Sequence, residues 1–174
     1  IEALVNKYPD LILIQLDAHA DLRDSYMGNK HSHACTMQRC LDVLPKQKIL
    51  QVGIRSGTKE EFKLMREKNQ LVNFFPGANA QELKKALIPY ANSPIYLTID
   101  LDWFDPSLLP GTGTPEPGGF FWNDFEVILE TLKNFRIVAS DIVELSPEID
   151  NSGVSRVVDA KVLRSLIMSL KNMQ

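Results

Sequence analysis

Cysteine is scarce in this chain, with Cys35 and Cys40 the only two among 174 residues. Sharing one expected helix, they match neither a disulfide framework nor a paired zinc motif, and a reducing, cytoplasmic setting is the expectation. No apolar run approaches the ~18 residues that a membrane span needs. The opening Ile1-Glu2-Ala3 lacks the basic start of a signal peptide. Also missing is any Lys/Arg cluster interleaved with aromatics, the footprint that a nucleic acid or an anionic membrane surface requires. Neither is expected as a partner. The chain opens on Ile rather than Met, which leads us to expect preceding sequence.

What is present reads as a folded protein: 44% apolar and 24% charged residues, with 22 acids against 19 bases for a net charge of −3. That balance excludes disorder as the main state. The length fits a single domain over residues 1–174. A small cationic substrate is compatible with the faintly acidic balance.

Residues 11–16 (LILIQL) form a nearly unbroken apolar run ending in polar residues, as does a strand buried on both faces of a parallel sheet. Residues 48–54, 71–75, 95–99 and 137–143 repeat the signature. Helical stretches lie between them. Three announce their starts by an N-cap residue with Glu three positions on: Thr58 with Glu61, Asn79 with Glu82, and Asn123 with Glu126. The last helix carries a stripe of Val162, Leu163, Leu166, Ile167 and Leu170. Such alternation predicts a three-layer α/β/α sandwich with a mostly parallel central sheet and sites at the carboxyl ends of strands. Residues 106–119 (PSLLPGTGTPEPGG) hold four Pro and four Gly. Flexible tethers favour Gly and Ser, so this reads as an ordered loop shaping a pocket, with a purely structural crossover as the alternative.

Asp17-Ala18-His19-Ala20-Asp21 follows the first strand directly. In an extended chain alternate residues share a side, so the three polar side chains converge. Asp100-Leu101-Asp102 repeats the device at the end of the fourth strand. Four buried carboxylates cannot share a pocket uncompensated, and two divalent cations would balance them. Carboxylates with one imidazole and no thiolate suit a hard or borderline ion such as Mn2+. Two such ions can share a water and lower its pKa. The competing reading makes each Asp a turn former or helix cap; the pairing of two motifs at one sheet edge favours metal. Asp105, before Pro106, reads as a turn former.

His31 and His33 are both placed to shuttle protons, since histidine titrates near neutrality, and spacing ranks neither above the other. Glu144 ends the fifth strand and needs a partner there, either a salt bridge or a cationic ligand. A planar guanidinium would suit it through bidentate hydrogen bonds. Arg55 and Ser56 follow the second strand without an assignable role. A dinucleotide-binding domain is disfavoured, because no G-x-G-x-x-G follows the first strand and the carboxylates would repel a pyrophosphate.

With these blocks in view, the sequence resembles the ureohydrolases of the arginase and agmatinase superfamily, manganese enzymes that cleave a guanidino group to urea and an amine. The resemblance rests on residues 17–21 (DAHAD), 32–39 (SHACTMQR), 98–119 (TIDLDWFDPSLLPGTGTPEPGG) and 141–147 (DIVELSP). It implies that Asp17, His19, Asp21, Asp100 and Asp102 ligate two Mn2+ ions, with Asp17 and Asp100 bridging. It selects His33 over His31, through the Ser-His-Ala block, as proton shuttle and substrate contact. Glu144 would hold the substrate guanidinium and Asp21 would relay a proton. The implied reaction is attack of a metal-bridging hydroxide on the guanidinium carbon, with collapse to urea.

Residues 22–29 (LRDSYMGN) and 110–115 (PGTGTP) are similar to agmatinases. That implies agmatine as substrate, giving putrescine for polyamine biosynthesis, ahead of guanidinobutyrate or arginine. Trimers or hexamers are common in the family and imply a homo-oligomer. The family draws a further histidine ligand from an upstream Gly-Gly-Asp-His block that this sequence does not contain. The resemblance therefore implies the carboxyl-terminal portion of a longer domain, with a non-catalytic or truncated metal-binding subunit as the alternative. Deacetylases sharing the fold match residues 98–119 less well.

Overall fold

The five apolar runs become strands β1 (Ile12–Leu16), β2 (Ile49–Val52), β3 (Leu71–Val72), β4 (Ile95–Asp100) and β5 (Ile137–Val143) in a computed structural model that describes residues 1–44 and 48–171, the side chains of Leu170 and Lys171 excepted. All neighbouring strands pair in parallel, in the order β3-β2-β1-β4-β5. Every residue of β1 is buried, as its unbroken apolar run requires. Among the described residues six helices cover the sheet: α1 (Glu2–Lys7), α2 (Thr36–Val43), α3 (Lys59–Glu67), α4 (Gln81–Leu87), α5 (Trp122–Leu132) and α6 (Val154–Lys171).

Alternation along β1 sorts the layers. Ile12, Ile14 and Leu16 face the larger core with Leu83 of α4, Phe125 and Ile128 of α5, and Val162 and Leu166 of α6. Leu13 and Ile49 face the smaller core, with Met37 and Leu41 of α2 and Met65 of α3. The result is the expected three-layer α/β/α sandwich.

Two strands differ from expectation. β3 shortens because Phe74 turns away to stack on Phe120, ring centroids 5.4 Å apart. β5 lies at the sheet edge and is only partly buried, since one flank alone is paired among the described residues.

The caps also divide. Thr58 and Glu61 form the reciprocal box, with Glu61 N–H donating to Thr58 Oγ1 at 3.2 Å and Thr58 N–H to Glu61 Oε2 at 2.7 Å. Asn79 stands one residue further out, its Oδ1 accepting from Gln81 N–H at 3.1 Å. Asn123 lies inside α5; Asp124 does the capping instead, accepting from Phe121 N–H at 2.8 Å. In α6, Val162 and Leu166 are buried but Leu163 and Ile167 are exposed, so the packed stripe is narrower than the apolar one. Leu170 lies outside the described side chains. Cys35 sits in a turn leading into α2, Cys40 within it, and both are free and buried. No helix among the described residues is long and apolar enough to cross a membrane.

From β1 the chain steps outward to β2 and β3, then returns to the other side of β1 as β4. That reversal opens a crevice at the carboxyl edge between β1 and β4, where open parallel sheets bind ligands. Register aligns the row: Leu16 pairs with Val52 and with Ile99, and Asp100 with Val143. Asp17, Gly53, Asp100 and Glu144 thus reach one edge together. Gly53 has φ 95, and a Cβ there would lie 2.4 Å from Trp103 Nε1. Gly53→Ala is therefore expected to cost about 2 kcal/mol. Thermal unfolding should show a midpoint about 4–8 °C lower; an unchanged midpoint would refute this packing.

Candidate metal centre

Asp17 leaves β1 and its carboxylate caps the following bend, its Oδ1 accepting from His19 N–H at 2.6 Å. Its Oδ2 accepts from Gln15 Nε2 at 2.6 Å, and Gln15 Oε1 accepts from Gln51 Nε2 at 2.7 Å. Gln15 and Gln51 are cross-strand partners in register, so a buried amide ladder aims the carboxylate. The next residues run beside the segment after β2, with Ala20 N–H bonded to Ser56 O at 3.1 Å. His19 Nδ1 then lies 2.9 Å from Asp102 Oδ2 and 3.7 Å from Asp17 Oδ1. Asp17, His19 and Asp102 offer ligand atoms that all lie within 4.8 Å of one another.

Asp21 and Asp100 line the same cavity, of about 300 Å³, with His33, Tyr26, Thr114 and Glu144. The route differs from simple alternation. Asp21 has φ 53, so the extended chain ends before it and a left-handed turn carries it to the cavity wall. Asp100 Oδ1 accepts from Asp102 N–H at 2.9 Å and opens a tight turn, Leu101–Trp103, that swings Asp102 inward. Turn former and site residue thus coincide in Asp17 and Asp100. Glu144 reaches the cavity just beyond β5 with φ 67, a left-handed conformation that bulky residues hold only where surroundings impose it. His33 lies edge-on to Tyr26, centroids 5.8 Å apart, whereas His31 lines a separate groove with Cys40 and Tyr96.

The 106–119 loop is ordered, as its prolines suggest. Asp105 is the turn former expected of it, accepting from Ser107 N–H at 3.0 Å, Gly118 N–H at 2.9 Å and Gly119 N–H at 3.1 Å. Ser155 Oγ accepts from Gly111 N–H at 2.8 Å and docks the loop on α6. Thr114 Oγ1 donates to Asp102 Oδ2 at 3.3 Å, bringing it against the site.

Burial pushes the Asp17 carboxyl up to about 7. Burial and then the charge of Asp17 lift Asp21 to about 8 and Asp100 to about 10. His19, hydrogen-bonded to Asp102 and Asp17, is raised to about 10. At Asp102 burial works upward, but the hydrogen bond and charge of His19 prevail and hold it below the ordinary carboxylate range. Bare, the cluster resists full ionisation at neutral pH, and a multivalent cation reverses that preference. Carboxylate oxygens with one imidazole nitrogen, and no thiolate, fit Mn2+.

A sequence profile of the Arginase family matches residues 1–169. The chain belongs to the arginase family. This arginase-family chain is 36% identical over 169 residues to an agmatinase of Bacillus cereus, covering 96% of itself and 58% of that protein. It is 38% identical over 162 residues to an N(1)-aminopropylagmatine ureohydrolase of Synechocystis, covering 89% of itself and 51% of the relative. Its fold matches the crystal structure of a candidate agmatinase from Clostridium difficile with a TM-score of 0.88 at 43% identity, over 97% of this chain and 61% of that one. The chain thus spans little more than half the length of these relatives.

Several side chains of this arginase-family site escaped the motif reading. Glu61, read only as a cap, is buried, accepts from Leu22 N–H at 2.8 Å and lies 4.0 Å from Arg23 Nε. Arg23 in turn lies over Tyr26, 4.9 Å from the ring centre, and all three border the cavity. Gln15 and Gln51 did leave a signal: an amide inside each of two apolar runs must find a buried partner.

Proposed function

We propose that residues 1–174 work as a ureohydrolase unit that hydrolyses agmatine to putrescine and urea with Mn2+. The observation that carries this reading is the gathering of Asp21, Asp100, Asp102, His19 and Glu144 around one cavity at the sheet's switch point, with Asp17 close behind His19 and Asp102. Agmatinases among the relatives support the substrate. Asp17, His19, Asp21, Asp100 and Asp102 would hold two Mn2+ ions, which when bound supply Lewis acidity and lower the pKa of a water. Glu144, in the cavity wall, would accept two N–H bonds from the guanidinium and orient its carbon. Asp21 would take up, on the cavity side, the proton that the attacking water gives up. His33, exposed at the rim, exchanges a proton with solvent and delivers it to the departing amine.

A second reading, a metal-binding subunit without catalysis, is favoured by the ligand grouping among the described residues, in which Asp17, His19 and Asp102 bring ligand atoms within 4.8 Å of one another while Asp21 and Asp100 stand outside the group. Urea release from agmatine, guanidinobutyrate and arginine, measured with Mn2+ alongside the intact mass, separates the two. Agmatine is expected to be the best substrate. Mn2+ bound with no urea from any guanidino compound would leave the second reading. Glu144→Gln should raise KM for agmatine about 10–100-fold, the worth of a charged hydrogen bond, with Mn2+ affinity unchanged. A parallel loss of Mn2+ would refute the role given to Glu144.

A further inference from the structure

Arg55 turns its guanidinium to backbone carbonyls of three separate segments. Nη2 donates to Asp102 O at 2.7 Å and to Glu116 O at 2.7 Å, positions 47 and 61 residues further along the chain. Nε adds a bond to Glu116 O at 3.3 Å, and Nη1 donates to Gly53 O at 3.3 Å and Trp103 O at 3.4 Å. One planar fork therefore ties the end of β2, the Asp102 turn and the 106–119 loop. The approach is tight: a Cβ on Gly119 would stand 2.7 Å from Arg55 Nη2 and 2.6 Å from Asp105 N. A side chain there would displace either the fork or the turn.

Glu116, the loop residue held twice by Arg55, points its carboxylate back toward the site. Its Oε1 lies 3.8 Å from His19 Nε2, while His19 Nδ1 faces Asp102. An imidazole that ligates a metal through one nitrogen is oriented by the acceptor facing the other. Glu116 thus stands on the side of the ring where that acceptor belongs, at ion-pair rather than hydrogen-bond distance, and Arg55 holds both it and the turn bearing Asp102.

We propose that Arg55 and Glu116 are a positioning pair for the metal centre, Arg55 setting the Asp102 turn and the Glu116 backbone, and Glu116 setting the ring of His19. The proposal rests on the metal reading of Asp17, His19 and Asp102. Neither residue lines the cavity, so both act through ligands rather than on substrate. Lysine at position 55 keeps the charge but cannot reproduce the fork.

The test is calorimetric Mn2+ titration of the 174-residue protein and of Arg55→Lys, Glu116→Gln and Asp102→Asn, with unfolding midpoints measured metal-free. Arg55→Lys and Glu116→Gln are each expected to bind Mn2+ about 10–100-fold more weakly while folded, the usual effect of removing an outer-shell partner. A purely structural role would lower the midpoint and leave the affinity of the folded protein alone. Mn2+ affinity within about twofold of the unsubstituted protein, in either folded variant, overturns the pair. Should Arg55→Lys fail to fold, Glu116→Gln on the loop decides by itself. Weak binding by Asp102→Asn beside unchanged Glu116→Gln overturns the positioning pair alone. Unchanged binding by Asp102→Asn overturns the metal reading and the pair with it.

Discussion

Asparagine at position 102 is expected to lower Mn2+ affinity at least about 100-fold and urea release about 1000-fold, or about 4 kcal/mol in the activation barrier. The side chain of Asp102 is 1% exposed. Its two oxygens meet His19 Nδ1 at 2.9 Å, Ala18 N–H at 3.1 Å and Thr114 Oγ1 at 3.3 Å. Asparagine fills the same volume and still accepts from Ala18, so the turn survives. What disappears is the charge that His19 keeps ionised below the ordinary carboxylate range. Without it, His19 loses the first cause of its elevation to about 10 and one ion loses a ligand. Titration of Mn2+ with circular dichroism on the same sample separates a lost ligand from a lost fold. Full Mn2+ affinity in folded Asp102→Asn would remove Asp102 from the ligand set.

The thermal shift produced by Mn2+ should grow with pH. In the metal-free protein Asp17, Asp21 and Asp100 carry folded values of about 7, 8 and 10 against an unfolded value of 3.8. The unfolded chain releases those protons first, so it binds fewer of them and stability falls as pH rises from about 4 toward each folded value. His19, raised from 6.5 to about 10, acts with the same sign: its contribution is complete below 6.5 and fades as pH passes through about 10. Mn2+ binds the deprotonated carboxylates, so its affinity rises over the same interval. At pH 8.5, with Mn2+ at about 1000 times its Kd, stabilisation is about 4 kcal/mol, a midpoint rise of about 8–16 °C. At pH 5.5 and the same concentration the rise should shrink several-fold. Equal shifts at both pH values, read by scanning calorimetry, would show that the cluster does not hold the ion.

Much of this molecule is legible locally. The five apolar runs and the Thr58 cap follow from contacts within a few residues, so composition and periodicity suffice to find them. β5 shows the limit: residues 137–143 read like the buried strands, yet β5 lies at the edge and half-exposed, because burial depends on what packs against a strand. The left-handed Asp21 and Glu144 are similar. Nothing in the identity of an aspartate or glutamate announces a positive φ; the surrounding structure imposes it. On spacing His31 and His33 are equivalent, and only the path of the chain after Asp21 brings one to the cavity and the other to a separate groove.

By itself the sequence determined the alternating α/β layering, the placing of acidic pairs after two strands and the stiff loop over residues 106–119, since each depends on residue type and near-neighbour spacing. Tertiary structure alone decided the register that aligns Asp17, Asp100 and Glu144, the amide ladder behind Asp17, and the grip of Arg55 on Asp102 and Glu116. Those contacts join residues far apart in the chain. Their geometry follows from how the sheet and its loops pack, which no local pattern encodes.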